Sequence, residues 1–305
     1  MKRTKKKYRT KTERKFKVHA ILTSDWHLRE DTPVCRTDDF VNAQWDKVRQ
    51  VRKLQEIHQC PVLHAGDLFH HWKTSPALLT RCIQELPEQF CTVYGNHDLP
   101  QHSMELVHKS GVNTLAEAGV IVILNSGHWN DVPEDASIGL PHPHRDRKIY
   151  VWHKLVWTNK VPFPGAEQEA EGHALLDKYP QFDLLVTGDN HQSFVCKQDG
   201  RLLVNPGSLT RQTAGQIDFE PCVYLYNAEQ NDVKAHYFDI DPTAVSREHI
   251  EVKQERDDRI QAFVERLGED WEAGLDFRQN LKQFAQENKI TNDVMEIAYK
   301  ALEAG

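Results

Sequence analysis

The sequence of 305 residues predicts an α/β protein whose central strands run parallel. The first observation is an alternation along the first hundred residues. Short apolar runs, typical of buried strands, are separated by longer segments in which apolar residues recur at helical spacing. The order strand, helix, strand, helix, strand is typical of βαβ units in a parallel sheet. The second observation is that Asp, Asn or His residues directly follow the apolar runs, where open α/β sheets carry their catalytic groups.

The first half of the chain contains three predicted strands and two predicted helices. In chain order these are the strand Val18 to Leu22, a helix from about Asp38 to His58, the strand Pro61 to Ala65, a helix from Ser75-Pro76 to about Leu86, and the strand Phe90 to Tyr94. Asp38 or Asp39 suits the N-cap of the first helix, because a side-chain oxygen there accepts a hydrogen bond from a free backbone N–H group. Proline in the first turn of the second helix removes no intrahelical hydrogen bond.

The second half is richer in predicted strands. Apolar runs predict strands at Val120 to Leu124, Ala136 to Leu140, Lys148 to Trp152 and Phe182 to Thr187, with a helix around Ala166 to Lys178 before the last of them. Two antiparallel pairs follow, Ser193 to Lys197 with Leu202 to Asn205, and Cys222 to Tyr226 with Val233 to Ile240. From about Ser246 the pattern is helical and highly charged. We therefore expect a basic arm (1–17), a main α/β domain (18–241) and a helical extension that offers a docking region for a partner (242–305).

The composition is ordinary for a globular protein, with 27% charged and 39% hydrophobic residues. No apolar run approaches the roughly 18–20 residues that a membrane-spanning helix needs. The basic N-terminus lacks the apolar stretch of a secretory signal. The six cysteines show no CxxC spacing, which indicates reduced, mostly buried thiols. These observations predict a cytoplasmic protein.

Charge is unevenly distributed along the chain. Residues 1–17 contain ten Lys or Arg residues and one acid, whereas the whole chain has a formal net charge of −7. A basic arm on an acidic body suits a polyanion, because each Lys or Arg set against a phosphate releases bound counterions. We therefore expect nucleic acid to contact Lys5, Lys6, Lys7 and Arg9. A solvated tail without a binding role is the alternative.

Potential metal ligands follow five of the predicted strands. They combine carboxylate, amide and imidazole side chains: Asp25, His27, Asp67, Asn96, His97, His153, Asp189 and His191. Residues two apart in an extended chain share a face, so Asp25 and His27 are expected to point to the same side of the first strand. This mixture of ligands suits two borderline-to-hard divalent ions, and Asp67 is the natural carboxylate to bridge them.

The motifs that carry these residues resemble those of a known family. The calcineurin-like metallophosphoesterases have a similar series, which is represented here by SDWH (24–27), GDLFH (66–70), GNHD (95–98), the lone His153, and GDNH (188–191) close to NPGS (205–208). Within that superfamily the chain looks most like the SbcD/Mre nucleases of DNA repair, because of Trp26 and His70. The resemblance covers about residues 18–215. It implies a four-layer sandwich, in which helices flank two mixed β-sheets, and a catalytic role for the main domain.

The resemblance also implies a centre of two divalent metal ions, Mn²⁺ foremost with Mg²⁺ as the alternative. The first ion would be held by Asp25, His27, Asp67 and His191, and the second by Asp67, Asn96, His153 and Asp189. His97 would contact the scissile phosphate and protonate the leaving oxygen, with Asp98 orienting its ring. His70 would be a second contact to the phosphate.

One motif departs from the family pattern. The final motif normally reads GHxH, whereas here it is Gly188-Asp189-Asn190-His191. An aspartate can still bind a metal ion, but it replaces a neutral imidazole by a charged oxygen, which favours Mg²⁺ or Mn²⁺ over softer ions. A turn residue without a ligand role is the alternative for Asp189.

We interpret the sequence as that of a two-metal DNA nuclease, acting as exonuclease, endonuclease or both in DNA repair, recombination or end processing. The expected partners are DNA and a coiled-coil ATPase of the SbcC type; a homodimer stays open, and no membrane partner is expected. A phosphatase or a small-molecule or cyclic-nucleotide phosphodiesterase is the first alternative, which the acidic body favours, because one fold supports many substrates. A non-catalytic scaffold, suggested by Asp189 alone, is the second alternative.

Overall fold

The computed structural model of the chain describes residues 16–124, 147–159, 161, 167–250, 254, 257, 259–260 and 277–303. The predicted strand from Ala136 to Leu140 lies outside the described residues, as do the basic residues Lys5, Lys6, Lys7 and Arg9. Two compact units make up the chain, Met1–Val245 and Ser246–Gly305. The division into arm, main domain and extension at residues 17 and 241 stays a prediction.

The strands and helices of the described residues follow the predicted order. The strands are β1 (Ala20–Thr23), β2 (Val62–His64), β3 (Phe90–Thr92), β4 (Val122–Ile123), β5 (Ile149–Trp152), β6 (Leu184–Thr187), β7 (Phe194–Gln198), β8 (Arg201–Asn205), β9 (Cys222–Asn227) and β10 (Asp232–Tyr237). The α-helices are α1 (Phe40–His58), α2 (Pro76–Glu85), α3 (Gly111–Glu117), α4 (Gly172–Lys178), α5 (Phe277–Glu287) and α6 (Asn292–Glu303). Short 3₁₀ helices lie at Pro100–His102, Met104–Lys109, Gln168–Ala170 and Ala214–Gln216.

Two mixed sheets contain these strands. The first has the order β10-β9-β1-β2-β3-β4, with β1 to β4 parallel and β9 and β10 antiparallel. The second has the order β5-β6-β8-β7, with only β7 antiparallel. The register aligns Leu22 with Leu63 and Leu63 with Cys91, so β1, β2 and β3 end at one edge of the sheet. The predicted α/β fold with parallel central strands is confirmed.

Apolar residues on both faces of each sheet produce four layers. Successive residues of a strand point to opposite faces. In β1, Ile21 belongs to the same buried cluster as Val48 of α1, whereas Leu22 belongs to a second cluster with Val151 of β5 and Val186 of β6. A third cluster joins the outer face of the second sheet to α4. The layers are helices α1 to α3, the first sheet, the second sheet and α4, which confirms the predicted sandwich.

Capping residues account for the starts of the helices. Helix α1 begins after Asp39, whose carboxylate accepts a hydrogen bond from a backbone N–H group of the first turn (3.2 Å), and Ser75 caps α2 in the same way (3.0 Å). The helix predicted from about Ala166 begins only at Gly172, after the cap Glu171. Helix α3 has no counterpart among the predicted elements, because seven residues are too few to display a helical period.

The second unit contains α5 and α6, which share a small apolar cluster. Leu281 and Ala298 are its buried centre, and partly buried side chains such as Phe284, Val294 and Tyr299 surround them. Within the part of the chain that the structure describes, no helix combines the length and the apolar character that crossing a membrane requires.

The N-cap of α1 gives a test of this fold. Asp39→Ala is expected to lower the free energy of unfolding by about 1 kcal/mol, because a backbone N–H group at the start of the helix loses its partner. Asp39→Asn keeps an oxygen acceptor at the same place and should stay within about 0.3 kcal/mol of the parent. Urea unfolding followed by circular dichroism measures both values. Equal losses in the two variants would show that the charge, and not the cap, supports the helix.

Candidate metal centre

The carboxyl ends of strands from both sheets meet at one site. Strands β1, β2 and β3 of the first sheet and β5 and β6 of the second each lead into a loop with predicted ligands. In this order of strands the ligands are Asp25 and His27, then Asp67, then Asn96, then His153, then Asp189 and His191. Each of these seven side chains lies within 4.0 Å of a side chain from another loop. The sequence-predicted ligands are therefore brought together.

Four of the ligands have left-handed backbone conformations. Their φ angles are 51° for Asp25, 44° for His27, 57° for Asp67 and 72° for Asp189. Residues other than glycine rarely adopt such angles, at a cost of about 1–3 kcal/mol each, and do so where the surrounding structure enforces them. β1 ends at Thr23, so two sharp turns of the backbone bring Asp25 and His27 together. The expectation that strand alternation aligns this pair is wrong.

The Asp67 carboxylate lies between two imidazoles. Its Oδ2 atom is 3.6 Å from Nε2 of His27 and 3.5 Å from Nε2 of His153. Its Oδ1 atom accepts a hydrogen bond from the backbone N–H of His97 (2.9 Å). Burial alone raises the pKa of this carboxyl group, but the His153 imidazole beside it lowers the pKa below its usual range. An ionised carboxylate between two groups of ligands is the arrangement that a bridging ligand needs.

His153 is oriented by the main chain behind it. Its Nδ1 donates to the carbonyl of Ala65 (2.7 Å), so Nε2 faces the site, 2.8 Å from Oδ1 of Asn96 and 3.9 Å from Oδ1 of Asp189. Burial lowers the pKa of this imidazole, but the Asp67 carboxylate beside it has the larger effect and raises the pKa to about 10. A proton on His153 and a divalent cation are thus alternative counter-charges for the buried carboxylates.

Asp25, His27 and His191 form the other side of the site. The Nε2 atoms of His27 and His191 face each other at 3.1 Å, and Oδ1 of Asp25 is 4.0 Å and 3.9 Å from them. Burial raises the pKa of Asp25 to about 6 although His153 and His191 lie near it. Nδ1 of His27 is also buried, without a hydrogen-bond partner among the described residues. Two facing imidazole nitrogens beside a buried carboxylate fit a divalent cation.

The donor atoms are close enough to share ions. In each of two triplets, Asp25–His27–His191 and Asp25–Asp67–His153, the ligand atoms lie within 4.8 Å of one another. Carboxylate, amide and imidazole ligands together suit Mn²⁺ or Mg²⁺ better than an ion that prefers thiolates. The donor set therefore fits a divalent metal centre. The loop after β6 forms the side of this centre that solvent reaches, because the side chains of Asp189 and His191 are each 37% exposed, against 0% for Asp25.

His70 and His97 lie beside the ligand groups. The ring centroid of His97 is 4.7 Å from that of His27 and 5.6 Å from that of His70. Nδ1 of His97 donates to the carbonyl of His70 (2.8 Å). This hydrogen bond fixes the ring, so that Nε2 is the nitrogen with which His97 can contact a ligand. Burial lowers the pKa of His70. Both rings line a cavity together with His27 and His191.

The implied orientation of the His97 ring by Asp98 is wrong. The Asp98 carboxylate is buried and accepts hydrogen bonds from the backbone N–H groups of Gly95 and residues 67–69 (2.9–3.3 Å). Burial raises the pKa of Asp98 to about 7. The carbonyl of His70 orients the ring instead. The Asp98 oxygens face the backbone of the loop after β2 and hold that loop.

Glycines of the motifs make room for the ligands. A Cβ atom at Gly95 would overlap the carboxylate and the backbone nitrogen of Asp67. Gly66 has a φ of +90°, and a Cβ atom there would lie 2.7 Å from Nδ1 of His153. Most of the sharp turns are made by the ligands themselves, whereas these two glycines allow the loops to approach one another.

A cavity of about 110 Å³ lies against the histidines. Besides them it is lined by Arg29, Ser208, Thr210, Gln212, Thr213 and Gln216. Gln212 also fixes the first ligand loop, because its Nε2 donates to the carbonyl groups of Trp26 (3.3 Å) and His27 (3.2 Å). No role for these residues is predicted from the sequence. The one sequence feature that points to this part of the cavity is the NPGS motif (205–208), which lies just before Thr210 to Gln216.

Comparison with known proteins identifies the family of this fold. The family model described as "Calcineurin-like phosphoesterase superfamily domain" matches residues 19–229, more than half of the chain. The chain belongs to the calcineurin-like phosphoesterase superfamily. The family expected from the motifs is therefore confirmed.

Two curated relatives support the branch of the superfamily. The double-strand break repair protein MRE11 of Encephalitozoon cuniculi is 25% identical over 253 residues, and the match covers 63% of this chain and 42% of that protein. The DNA double-strand break repair protein Mre11 of Haloferax volcanii is 27% identical over 218 residues, and the match covers 66% of this chain and 47% of that protein. The expected resemblance to the SbcD/Mre branch is confirmed as a sequence similarity. The chain spans less than half the length of these relatives.

Solved structures with a similar chain path include an archaeal phosphodiesterase and a vacuolar sorting protein. The phosphodiesterase is 16% identical with a TM-score of 0.41, and the match covers 72% of this chain and 99% of that chain. Vps29 from Cryptosporidium parvum is 17% identical with a TM-score of 0.34, and the match covers 74% of this chain and 100% of that chain. Membership of the superfamily rests on the sequence match and the observed sheets.

Gly95 tests how closely the ligand loops must approach. Gly95→Ala is expected to lower the affinity for Mn²⁺ by about tenfold or more, because the added Cβ displaces the Asp67 carboxylate. Gly215→Ala is the matched control, since neither glycine has a left-handed φ and a Cβ at Gly215 would meet nothing closer than 3.8 Å. Calorimetric titration with Mn²⁺ measures both variants, and circular dichroism verifies their fold. Equal affinities would mean that Asp67 binds no ion from its present position.

Proposed function

We propose that this chain is a DNA-cleaving phosphodiesterase that uses two divalent cations, Mn²⁺ or alternatively Mg²⁺. The position of Asp67 carries the proposal, because one carboxylate oxygen lies 3.6 Å from an imidazole of one ligand group and 3.5 Å from an imidazole of the other. A pair of ions that acts on one phosphodiester needs such a shared ligand. The family match to residues 19–229 supports phosphoester hydrolysis as the reaction.

Each of the two ions would be held by its own group of side chains, with Asp67 common to both groups. The first ion would be held by Asp25, His27, Asp67 and His191, and the second by Asp67, Asn96, His153 and Asp189. When bound, the ions would act as Lewis acids that offset negative charge on the phosphoryl oxygens. The Ala65 carbonyl keeps His153 in the tautomer whose Nε2 faces the site.

His97 would supply a proton to the leaving oxygen. Its Nδ1–H is bound to the carbonyl of His70 (2.8 Å), so Nε2 is the nitrogen that can hold and transfer a proton. The His70 ring lines the same cavity and would contact the phosphate. Asp98 would support this arrangement through the backbone N–H groups of residues 67 and 69, which it binds.

Two observations support DNA as the substrate. Both curated relatives are named as double-strand break repair proteins. The basic arm provides positive charge on a chain that is otherwise acidic, which suits a phosphate backbone. The protein would act in the cytoplasm, and its helical extension (242–305) would bind a coiled-coil ATPase of the SbcC type.

Cleavage of end-labelled DNA tests the activity. With Mn²⁺ present, the protein is expected to cut single-stranded or double-stranded DNA, and His97→Ala should slow cleavage by about 10²- to 10⁴-fold, because the proton donor is lost. His173→Ala is the matched control, since this exposed histidine lies on α4 and bonds to Gln198. Its cleavage rate should equal that of the parent.

Parallel assays with bis-para-nitrophenyl phosphate and para-nitrophenyl phosphate distinguish the alternatives. Turnover of these esters without cleavage of DNA would favour a phosphatase or a small-molecule phosphodiesterase. A protein that cleaves none of these substrates and does not bind Mn²⁺ would favour a non-catalytic scaffold. Equal DNA cleavage by the parent and His97→Ala would remove the proposed role of His97.

Asp189 gives a test of the choice of metal. Asp189→His restores an imidazole at this position and is expected to raise the ratio of Zn²⁺ affinity to Mg²⁺ affinity by about tenfold, because imidazole is the softer ligand. Competition titration with a chromophoric chelator measures the affinities of parent and variant. An unchanged ratio would place Asp189 outside the ligand set, as a turn residue.

A further inference from the structure

The NPGS motif has no part in the proposed chemistry, yet it binds the loop after β6. Nδ2 of Asn205 donates to the carbonyl groups of Asn190 (2.6 Å) and Gln192 (2.7 Å). The backbone N–H of Ser208 donates to the carbonyl of His191 between them (3.2 Å). Three consecutive carbonyl groups of a ligand loop are therefore bound by one short segment.

The register of the second sheet determines where Asn205 lies. β8 pairs in parallel with β6, with Val204 beside Val186, so the last residues of the two strands, Asn205 and Thr187, are neighbours. The Thr187 hydroxyl donates to Oδ1 of Asn205 (2.9 Å). This contact fixes the orientation of the buried amide, since its oxygen accepts one hydrogen bond and its nitrogen donates two.

We propose that Asn205 is a positioning residue that sets the place of Asp189 and His191 relative to the other ligands. This inference rests on the proposed function, because a metal site is what the loop would serve. The loop needs such a contact for two reasons. Asp189 has a left-handed φ of 72°, and the side chains of Asp189 and His191 are each 37% exposed, so packing constrains them less than it constrains Asp25.

Asn231 provides a matched control for this role. Its Oδ1 accepts a hydrogen bond from the hydroxyl of Tyr226 (2.7 Å), and its Nδ2 donates to the carbonyl groups of Asp183 (3.0 Å) and Gly200 (2.7 Å). It is also buried, with 8% of its surface exposed. The two asparagines thus make the same set of hydrogen bonds, but only Asn205 binds a loop that carries ligands.

The experiment compares Asn205→Asp with Asn231→Asp in the full chain. Both substitutions replace two N–H donors by a carboxylate oxygen, so both are expected to lower the thermal unfolding temperature. Only Asn205→Asp is expected to lower the affinity for Mn²⁺, by about 10- to 100-fold, because outer contacts of metal ligands have effects of this size. Mn²⁺ binding is followed by electron paramagnetic resonance of the free ion, below the unfolding temperature of each variant. Asn205→Ala, which adds no charge, should lose affinity in the same direction.

The outcomes separate this inference from the proposed function. Loss of Mn²⁺ affinity in both Asn205 variants but not in Asn231→Asp supports the positioning role. Equal affinities in the parent and the Asn205 variants would overturn the inference and leave the proposed function intact. A parent protein that binds no Mn²⁺ would overturn both. A loss of affinity in Asn231→Asp as large as in Asn205→Asp would show a general effect of stability and would also overturn the inference.

Discussion

The burial of three carboxylates in one place is the constraint on which the rest of the structure depends. Asp25, Asp67 and Asp98 are all buried, and a buried charge without compensation costs several kcal/mol. Each carboxylate accepts hydrogen bonds from the backbone of another loop. Asp25 is bound by the N–H of Asp189, Asp67 by that of His97, and Asp98 by those of residues 67–69. The loops are therefore held together by hydrogen bonds to these buried carboxyl groups, and no strand alone sets the geometry of the ligands.

This mutual binding accounts for the unusual backbone of the ligands. A carboxylate that follows a strand must turn back towards N–H groups of a neighbouring loop, and a left-handed residue makes such a turn within one position. Aspartate tolerates this conformation better than most residues, because its short polar side chain can hydrogen-bond locally. Asp25 and Asp67 thus act both as turn residues and as potential ligands. The cost of about 1–3 kcal/mol per residue is offset by the hydrogen bonds that join the loops.

Sequence patterns predict those parts of the site that depend on residues close together in the chain. Alternating apolar runs and helical segments predict the parallel sheet, and polar residues at the strand ends predict Asp67 and its neighbours as ligands. Contacts between a side chain and a distant backbone leave no such pattern. Asp98, Asn205 and Gln212 act through carbonyl or N–H groups of loops that are remote in sequence, so only the folded chain reveals what they hold. The same limit applies to the role that the family resemblance implies for Asp98, because the motif does not show that its oxygens face the backbone of residues 67–69.

Asp189 joins the two halves of the site. Its backbone N–H donates to the Asp25 carboxylate (3.0 Å), whereas its own carboxylate lies 3.9 Å from Nε2 of His153 on the other side. An imidazole in its place would add no charge, but the aspartate adds a further negative charge beside Asp25 and Asp67. Its partial exposure lets water solvate this charge in the absence of a cation, so the extra carboxylate need not destabilise the folded chain. A cation that binds there gains a charged oxygen ligand, and the exchange of imidazole for carboxylate therefore strengthens the dependence of this half of the site on a hard divalent ion.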